Sequence, residues 1–310
     1  MTVLSCSATA PGKVNLYFAV GPLRADGYHE VASLYAAVDV LERVTVRSAK
    51  APGITQSLSV TPGSPVAEQV AAGTFDPALV PLDASNLAYR GALAVLQEQG
   101  LRLQDISVEV HIEKAVPVAG GMGGGSADAA AAMKAMNAYL VQADLVQDSV
   151  PRERLLELAA SLGADVPFAL LGGLAVGLGL GEKLTPLEVP EGTEQLCFGF
   201  CPASAGLSTP AVFRELDAGR EAGRYPAPDP VLEVPATLID ALTSQAPLAE
   251  RLPIISSLLR NDLAAPASSL LPELQSTLEG LAHQPGVAAS FVSGSGPTVV
   301  SIRGRTRATG

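Results

Sequence analysis

Alternating hydrophobic and polar residues predict β-strands in the first part of the chain. The segment Ser5 to Val20 alternates and then runs apolar, and Arg43 to Arg47 alternates again; between them, His29 to Val38 is expected to be extended. The alternation returns between Ile106 and Ile112, where His111 falls on the polar side. Because successive side chains of a strand point to opposite faces of a sheet, each of these segments fits a half-buried strand.

Apolar residues at helical spacing predict three helices in the same half of the chain. The first covers Asn86 to Gln99, with Ser85 as a possible N-cap and Gly100 at the expected end. The alanine-rich segment Ser126 to Leu140 and the segment Arg152 to Leu162 follow. The order of strands and helices predicts a mixed α+β protein.

The remaining segments carry weaker patterns. Residues 48–84 are rich in Ala, Pro, Gly and Ser, which predicts a surface loop with one or two short strands. The nearly uncharged run Val166 to Gly181 is interpreted as buried strand and turn. Two helices are predicted after Pro235. Further predictions are a strand at Leu196 to Cys201, a helix near Pro210 to Ala218, and strands at Ala288 to Val292 and Thr298 to Arg303.

Length and composition add domain organisation and exclude some functions. A chain of 310 residues predicts about two domains, which we place at 1–175 and 176–310. With 48% hydrophobic and 16% charged residues, the chain has the composition of a globular protein. Its net charge of −11 repels a phosphate backbone, so nucleic acid is not expected as a partner.

The sequence also predicts a cytoplasmic protein that does not bind membranes. The run Val166 to Gly181 is shorter and richer in glycine than the roughly 20 apolar residues of a spanning helix. The first residues resemble neither a secretory signal nor a transit peptide. Cys197 and Cys201 lie four positions apart in a predicted strand, too far for a disulfide, so with Cys6 we expect free thiols.

The strongest chemical signal is a glycine cluster that begins at Pro117. Five of the six residues from Gly120 to Gly125 are glycines, and they lie between a predicted strand and the helix that starts at Ser126. The first backbone amides of a helix have no partner within the helix, and glycines, which lack side chains, let a phosphate group come close to them. Such a helix start forms a site for a phosphate group. The alternative is a flexible linker, which would not normally sit directly at a helix start.

Two common phosphate-binding loops do not fit this cluster. A P-loop requires Gly-x-x-x-x-Gly-Lys, and the chain's Gly12-Lys13 pair has Ser7 at the position of the first glycine. The dinucleotide-binding pattern Gly-x-Gly-x-x-Gly fails because Gly121 and Gly123 are followed by Ser126 instead of a third glycine.

Three motifs in order resemble the GHMP kinases. They are Ala10-Pro-Gly-Lys-Val-Asn-Leu16, the loop from Pro117 to Ser126, and Val292-Ser-Gly-Ser-Gly-Pro-Thr298. Within that family, Arg24-Ala-Asp-Gly-Tyr-His29 and Leu162-Gly-Ala-Asp-Val-Pro-Phe168 resemble the branch that phosphorylates a diphosphocytidyl sugar alcohol. The similarity spans nearly the whole chain.

The resemblance implies the two-lobed α+β fold of the GHMP kinases. In that fold a ribosomal S5 domain 2-like N-terminal lobe binds ATP, the C-terminal lobe is ferredoxin-like, and substrate occupies the cleft. The implied reaction transfers the γ-phosphoryl group of ATP, with Mg²⁺, to the 2-hydroxyl of 4-diphosphocytidyl-2-C-methyl-D-erythritol. This reaction belongs to the non-mevalonate (MEP) pathway of isoprenoid biosynthesis.

The resemblance also implies catalytic roles for Lys13 and Asp165. Transfer to an alcohol requires a group that accepts the hydroxyl proton and positive charge that holds the phosphoryl group. Aspartate and lysine supply these, and a nearby lysine keeps the carboxylate ionised. From the residues alone, Asp165 could equally cap a turn and Lys13 could be a solvated surface charge.

Nucleotide contacts carried over from the family centre on the glycine cluster. Ser126 would lie near the phosphates or Mg²⁺, and Lys114 and Asn86 would line the adenine pocket, although Lys114 could instead be a solvated strand end. The complete set is Pro117, Gly120, Gly121, Gly123, Gly124, Gly125, Ser126, Lys114 and Asn86.

Substrate contacts are expected from four other segments. Tyr28 and His29 would offer a cytosine base a stacking face and a hydrogen-bonding partner. The remaining members of the set are Asn15, which contacts the substrate near the lysine, Pro210 and Phe213, which close the other side of the base, and Gly294 and Gly296 in the third motif. The alternatives are a half-buried turn for Tyr28 and His29, core packing for Phe213 and a plain hairpin turn for the glycines.

Two other functions are compatible with parts of the pattern. A GHMP kinase for homoserine or mevalonate-type substrates would share the glycine loop without needing His29. A non-catalytic nucleotide-binding relative would bind ATP without turnover.

The chain departs from the family pattern at two places. Ala127 lacks a hydroxyl that many relatives carry. The end at Gly310 looks shorter than is usual in the family, so an unpaired strand edge is expected there.

Overall fold

A computed structural model describes residues 4–304 of the chain, which form a mixed α+β fold. Contacts divide these residues into two compact units. The first unit comprises residues 4–12, Val38–Val118 and Gly123–Gly172, and the second comprises Lys13–Ala37, Ala119–Met122 and residues 173–304. The units therefore interleave along the chain, whereas the sequence predicted two consecutive domains that meet near residue 175.

The interleaving follows from two long strands. Strand β1 (Ser5–Leu23) and strand β2 (His29–Ser48) each continue through both units, because the unit boundaries fall inside them. The two extended segments predicted at His29 to Val38 and Arg43 to Arg47 are thus one strand.

In the first unit, β3 (Gly53–Val60) and β4 (Ser107–Lys114) extend a sheet of order β3-β4-β2-β1. β3 is parallel to β4, and β4 is antiparallel to β2, with His111 opposite Thr45. The predicted alternation in β4 is confirmed, since its even-numbered residues are buried and its odd-numbered residues are half-buried.

Five helices complete the first unit. They are α1 (Pro65–Ala71), α2 (Leu87–Glu98), α3 (Gly124–Gln142), α4 (Arg152–Leu162) and α5 (Val166–Leu171). Helix α3 is buried along most of its length, as expected of an alanine-rich helix that is apolar all round. Its small side chains let α2 approach closely, and a Cβ on Gly91 would lie 2.7 Å from the carbonyl oxygen of Ala129.

In the second unit, the strands form two groups. Strand β5 (Leu174–Leu178) pairs with β2 and with β6 (Lys183–Leu187), and β8 (Arg260–Asn261) runs parallel to β1. A separate antiparallel sheet has the order β7-β10-β9, formed by β7 (Cys197–Cys201), β9 (Val287–Val292) and β10 (Val299–Arg303). Because β10 is the central strand, it is paired on both sides.

The helices of the second unit all lie in its C-terminal segment. They are α6 (Thr209–Glu221), α7 (Ala236–Thr243), α8 (Leu248–Leu258), α9 (Ala264–Leu270) and α10 (Glu273–Ala282). Helices α6, α9 and α10 share an apolar core with β9 and β10, which contains Val212, Ala267, Leu274, Val292 and Val299.

Several sequence predictions need correction. Residues 48–84 contain helix α1, and the run from Val166 begins with helix α5 instead of a strand. Up to Gly304, where the described residues end, four helices and not two follow Pro235. All six of these helices are shorter than the roughly 12 to 15 residues that an isolated helix needs to be stable in water, so they depend on packing against the rest of the protein.

Two further predictions concern the chain ends and membranes. The segment after Gly304, where a shortened C-terminus was expected, lies outside the described residues. Within residues 4–304, no helix is both long enough and apolar enough to cross a bilayer.

Candidate active site

The glycine cluster leads directly into helix α3. Gly123 adopts a left-handed backbone with φ of 70° and occupies the N-cap position. Its carbonyl oxygen accepts the amide of Ala127 at 2.8 Å, which starts the helix. The amides of Gly124, Gly125 and Ser126 precede the first intrahelical donor, so they point out of the helix start. Gly125 is exposed and Ser126 is half-buried, which leaves this end open to an anion.

A buried charge network lies beside this helix start. Nζ of Lys114 donates to Oε1 of Glu42 at 2.6 Å and to Oδ2 of Asp128 at 2.7 Å. Glu42 also accepts the backbone amides of Ala115 and Val116, at 2.8 and 3.2 Å. These residues begin the connection from β4 to the glycine cluster. Glu42 therefore fixes the lysine and the backbone that follows it.

The network is packed tightly against the helix start. A Cβ on Gly124 would lie 3.2 Å from the carbonyl oxygen of Val116 and 3.4 Å from both Oε1 of Glu42 and Nζ of Lys114. A side chain at this position would push against a fully buried ion pair. A side chain at Gly124 would fit only if these neighbours moved by a few tenths of an ångström.

Two carboxyl groups share one buried ammonium group in this network. Burial raises the pKa of Glu42 to about 7, opposed by Lys114 and reinforced by the charge of Asp128. Burial also raises the pKa of Asp128, whose Oδ1 has no hydrogen-bond partner among the described residues. The pKa of Lys114 is raised because the two carboxylates outweigh its own burial. Sequence analysis assigned Lys114 to the adenine pocket but missed Glu42 and Asp128.

In the second unit, Lys13 is held in a chain of polar contacts. It is 7% exposed, and its Nζ donates to Oδ1 of Asn15 at 2.8 Å. Nδ2 of Asn15 donates to the hydroxyl of Ser33 at 2.7 Å, and both of these residues are fully buried. Nζ also lies 5.8 Å from the centre of the Tyr35 ring. Lys13 is therefore a positioned group and not a solvated surface charge.

The second unit also brings together parts of two glycine-rich motifs. Gly121 (φ +73°) lies so close to the third motif that a Cβ there would be 2.1 Å from the carbonyl oxygen of Ser293. The hydroxyl of Ser293 donates to the carbonyl of Gly121 at 3.1 Å, and the amide of Thr298 donates to the carbonyl of Gly120 at 3.2 Å. The third motif is more than a hairpin turn, because it packs on the glycine cluster.

The third motif also reaches the lysine. A Cβ on Gly294 (φ +53°) would lie 3.1 Å from Nζ of Lys13 and 3.2 Å from Oδ1 of Asn15. Gly296 (φ +73°) precedes a cis peptide bond to Pro297. Asn261 holds the motif from outside, since its Nδ2 donates to the carbonyls of Val292 and Gly294, each at 2.7 Å. Sequence analysis missed Asn261.

The predicted base-binding residues lie together in the second unit. Tyr28 is 60% exposed and follows an Asp-Gly turn in which its amide donates to Oδ1 of Asp26 at 3.1 Å. The adjacent His29 is buried, and its ring stacks on Phe213 with centroids 5.1 Å apart and planes at 27°. Nε2 of His29 lies 2.9 Å from Oδ1 of Asp217.

Pro210 is exposed in the first turn of α6, the helix that carries Phe213. Asp217, on the same helix, was not predicted. Its pairing with His29 joins residues 188 positions apart, a distance over which periodicity gives no signal.

Asp165 and Asn86 belong to the first unit. Asp165 immediately precedes α5, and its side chain makes no hydrogen bond that caps this helix. Its catalytic role stays a prediction. Asn86 is the N-cap of α2, where Ser85 had been predicted: its Oδ1 accepts the amide of Ala88 at 2.8 Å, and its Nδ2 donates to the carbonyl of Pro81 at 2.6 Å. Its role in binding adenine stays a prediction.

Comparison with known proteins identifies the family. Residues 86–173 match the GHMP kinases N terminal domain. The chain is 46% identical over 293 residues to 4-diphosphocytidyl-2-C-methyl-D-erythritol kinase of Paenarthrobacter aurescens, covering 94% of this chain and 84% of the relative. The chain belongs to the 4-diphosphocytidyl-2-C-methyl-D-erythritol kinase family.

Solved structures agree with this membership. A crystal structure of 4-(cytidine 5'-diphospho)-2C-methyl-D-erythritol kinase is 29% identical, with a TM-score of 0.63 over 96% of this chain and 89% of that one. A mevalonate kinase of L. major is 15% identical with a TM-score of 0.62, covering 97% and 87%, and supports the fold alone. The predicted GHMP kinase fold is confirmed. As a member of the 4-diphosphocytidyl-2-C-methyl-D-erythritol kinase family, the chain is an ATP-dependent small-molecule kinase.

Proposed function

We propose that this kinase transfers the γ-phosphoryl group of ATP to the 2-hydroxyl of 4-diphosphocytidyl-2-C-methyl-D-erythritol, a step in isoprenoid precursor biosynthesis. The observation that carries the proposal is 46% identity over 94% of the chain to a relative of that name. The packing of both glycine-rich motifs and the buried Lys13 supports it, because this packing joins motifs that the sequence scatters over the chain.

The start of α3 is the proposed binding site for the triphosphate of ATP. Its outward amides and the helix dipole favour a polyanion, and the glycines let phosphate oxygens approach the backbone. Lys114 and Asn86 are proposed to line the adenine pocket, although the structure engages both in internal hydrogen bonds. Bound adenine would then contact the aliphatic part of the Lys114 side chain and the edge of the Asn86 amide, because their polar atoms are already hydrogen-bonded.

Mg²⁺ is proposed to accompany ATP, with Ser126 as a protein ligand. The half-buried Ser126 lies in the first turn of α3, and its hydroxyl is a hard oxygen donor of the kind Mg²⁺ prefers. Phosphates and water would supply the other ligands of such an ion. A bound cation would neutralise charge on the phosphates that leave as ADP.

For the chemistry, we propose that Asp165 accepts the proton of the substrate hydroxyl. The hydroxyl oxygen then bonds to the γ-phosphorus, the bond from this phosphorus to the β–γ bridging oxygen breaks, and ADP departs with the electron pair. Lys13 is proposed to stabilise negative charge on the transferring group, with its Nζ oriented by Asn15. Gly294, beside Lys13, leaves room for the substrate where a side chain would intrude.

The cytidine end of the substrate is assigned to Tyr28, His29, Pro210 and Phe213. The exposed ring of Tyr28 offers a face for base stacking. Phe213 stacks on the ring of His29, so we propose that Phe213 holds this ring in place and that the remaining edge of the His29 ring contacts the base.

The cytoplasm is proposed as the location of the protein. The free thiols of Cys6, Cys197 and Cys201 agree with a reducing compartment.

A substrate comparison tests the proposal. ADP release is measured with Mg-ATP and, in turn, the diphosphocytidyl substrate, homoserine and mevalonate. We expect substrate-dependent ADP release with the first compound only. Faster turnover of homoserine or mevalonate would contradict the proposal, as would tight ATP binding without turnover of any of the three.

A further inference from the structure

We propose that Asp217 is a positioning residue that fixes which nitrogen of His29 carries the proton, and that this makes the site select cytosine over uracil. The inference rests on the proposed function, because it takes the base of the substrate to contact His29. It assigns a role to a residue that no sequence motif indicated.

Two side chains of helix α6 hold the His29 ring. His29 begins strand β2 directly after the turn that carries Tyr28. Phe213 stacks on its face, and Asp217 lies one helical turn further along α6, within 2.9 Å of Nε2. The His29 side chain is 5% exposed and the Asp217 side chain 24%. One helix therefore fixes both the plane of the ring and the direction in which its Nε2 points.

The chemistry of a carboxylate determines the proton position. An ionised carboxylate only accepts hydrogen bonds, so Nε2 must carry the hydrogen that it shares with Asp217. In neutral imidazole the other nitrogen, Nδ1, then holds a lone pair and acts as an acceptor. Within residues 4–304, the hydrogen bonds of His29 leave Nδ1 without a protein donor.

An acceptor at this position distinguishes the two pyrimidine bases. The exocyclic amino group of cytosine is a donor, whereas uracil has a carbonyl oxygen, an acceptor, at the same place. Nδ1 accepts from the cytosine amino group and repels the uracil carbonyl. If Nδ1 instead carried the proton, it would donate a hydrogen bond, and this atom would then favour the uracil carbonyl over the cytosine amino group.

The alternative is that Asp217 only anchors α6 to strand β2. Another residue of α6 already anchors this helix to the sheet through β1, since Arg220 donates to the carbonyls of Gly21 and Val20 at 3.0 and 2.8 Å. A purely structural Asp217 would change stability without changing the preference between bases. The preference between cytosine and uracil therefore distinguishes a positioning role of Asp217 from a purely structural one.

The experiment measures kcat and KM for the diphosphocytidyl substrate and for its diphosphouridyl counterpart. Asp217→Asn removes the obligatory acceptor, because its amide can either accept from or donate to Nε2. We expect the KM for the cytidine substrate to rise about tenfold to a hundredfold with kcat nearly unchanged, and the preference over uridine to fall by a similar factor. Asp217→Glu keeps a carboxylate and should restore most of the preference. Glu221→Gln, an exposed residue of the same helix, is the matched control and should behave as the unmodified protein.

Nitrogen NMR of the imidazole provides a second readout that does not depend on turnover. The unmodified protein should show the hydrogen on Nε2 of His29, and Asp217→Asn should show a mixture of both forms. A hydrogen on Nδ1 in the unmodified protein overturns the inference, and so does a base preference that Asp217→Asn leaves unchanged. Absence of turnover of the cytidine substrate by the unmodified protein instead overturns the proposed function.

Discussion

The ammonium group of Lys13 donates a hydrogen bond to Oδ1 of Asn15 over 2.8 Å, and both residues are buried. Asn15 is itself fixed by the hydroxyl of Ser33, so the lysine belongs to a chain of buried polar contacts. Burying a charge is costly unless it is compensated, and the hydrogen bond to Asn15 supplies part of that compensation. A positive charge held beside a glycine loop suits stabilisation of a developing phosphoryl charge.

Replacing this lysine should therefore remove catalysis while the fold remains. Lys13→Met keeps the length of the side chain and removes its charge. We expect kcat to fall about a hundredfold to a thousandfold or more, as is typical when a preorganised electrostatic group is lost. Steady-state ADP release and circular dichroism would test this. Lys183→Met, at an exposed lysine of the same unit, should leave kcat within about twofold, and an equal loss in both variants would contradict the assignment.

The contact between the glycine cluster and the third motif predicts that alanine at position 121 lowers the free energy of unfolding more than alanine at another left-handed glycine. Gly121 and Gly223 have nearly the same backbone, with φ of +73° and +70°, but a Cβ on Gly223 would meet nothing within 4 Å. Gly223→Ala should cost about 1 to 2 kcal/mol of unfolding free energy, the usual penalty of a left-handed backbone for alanine.

Gly121→Ala should cost clearly more, because its Cβ would lie 2.1 Å from the carbonyl oxygen of Ser293. It should also lower kcat by displacing the third motif, whereas Gly223→Ala should not. Urea unfolding and ADP release of the two variants separate the steric effect from the backbone effect. Equal destabilisation would mean that the two loops are not in contact in solution.

The buried network around Lys114 predicts a pH-dependent stability. The pKa of Glu42 is raised from 4.5 to about 7, so the folded state retains a proton that the unfolded state has lost between these values. Stability from this group is therefore fully present below about pH 4.5 and is lost as pH rises through 7. The charge of Asp128 contributes to the shift, so Asp128→Asn should lower the pKa of Glu42.

Urea unfolding at pH 5, 6, 7 and 8 measures this effect. In Asp128→Asn, the fall in stability between pH 5 and 7 should be shallower than in the unmodified chain. Asp148→Asn, an exposed substitution in the same unit, is the control and should preserve the original slope. An unchanged slope in Asp128→Asn would mean that the network does not hold the extra proton.

The spacing of apolar and polar residues was sufficient to predict those strands and helices whose own sequence carries a clear period. Strand β4 follows from its alternation, helix α4 from its apolar spacing, and the strands on either side of the third motif from the glycines between them. Helices α1 and α5 escaped prediction because each is short and begins with a proline-containing turn that also fits a loop.

The candidate site shows the same division. The glycine cluster and Lys13 are visible because composition and motif mark them. Glu42 and Asp217 are not, because each acts through a partner far away in sequence: Glu42 pairs with a lysine 72 positions away and Asp217 with a histidine 188 positions away. Asp128 did leave a signal, since it is the one charged residue in the first two turns of an alanine-rich helix.

The proposed reaction depends on Asp165 as the group that accepts the substrate proton, and replacing its carboxylate by an amide removes that ability. Asp165→Asn preserves the size of the side chain but cannot take the proton, so kcat for the diphosphocytidyl substrate should fall about a hundredfold to ten-thousandfold. ATP affinity, measured by calorimetry, should stay within about threefold. Turnover at more than about a tenth of the unmodified rate, with folding intact, would contradict this role of Asp165.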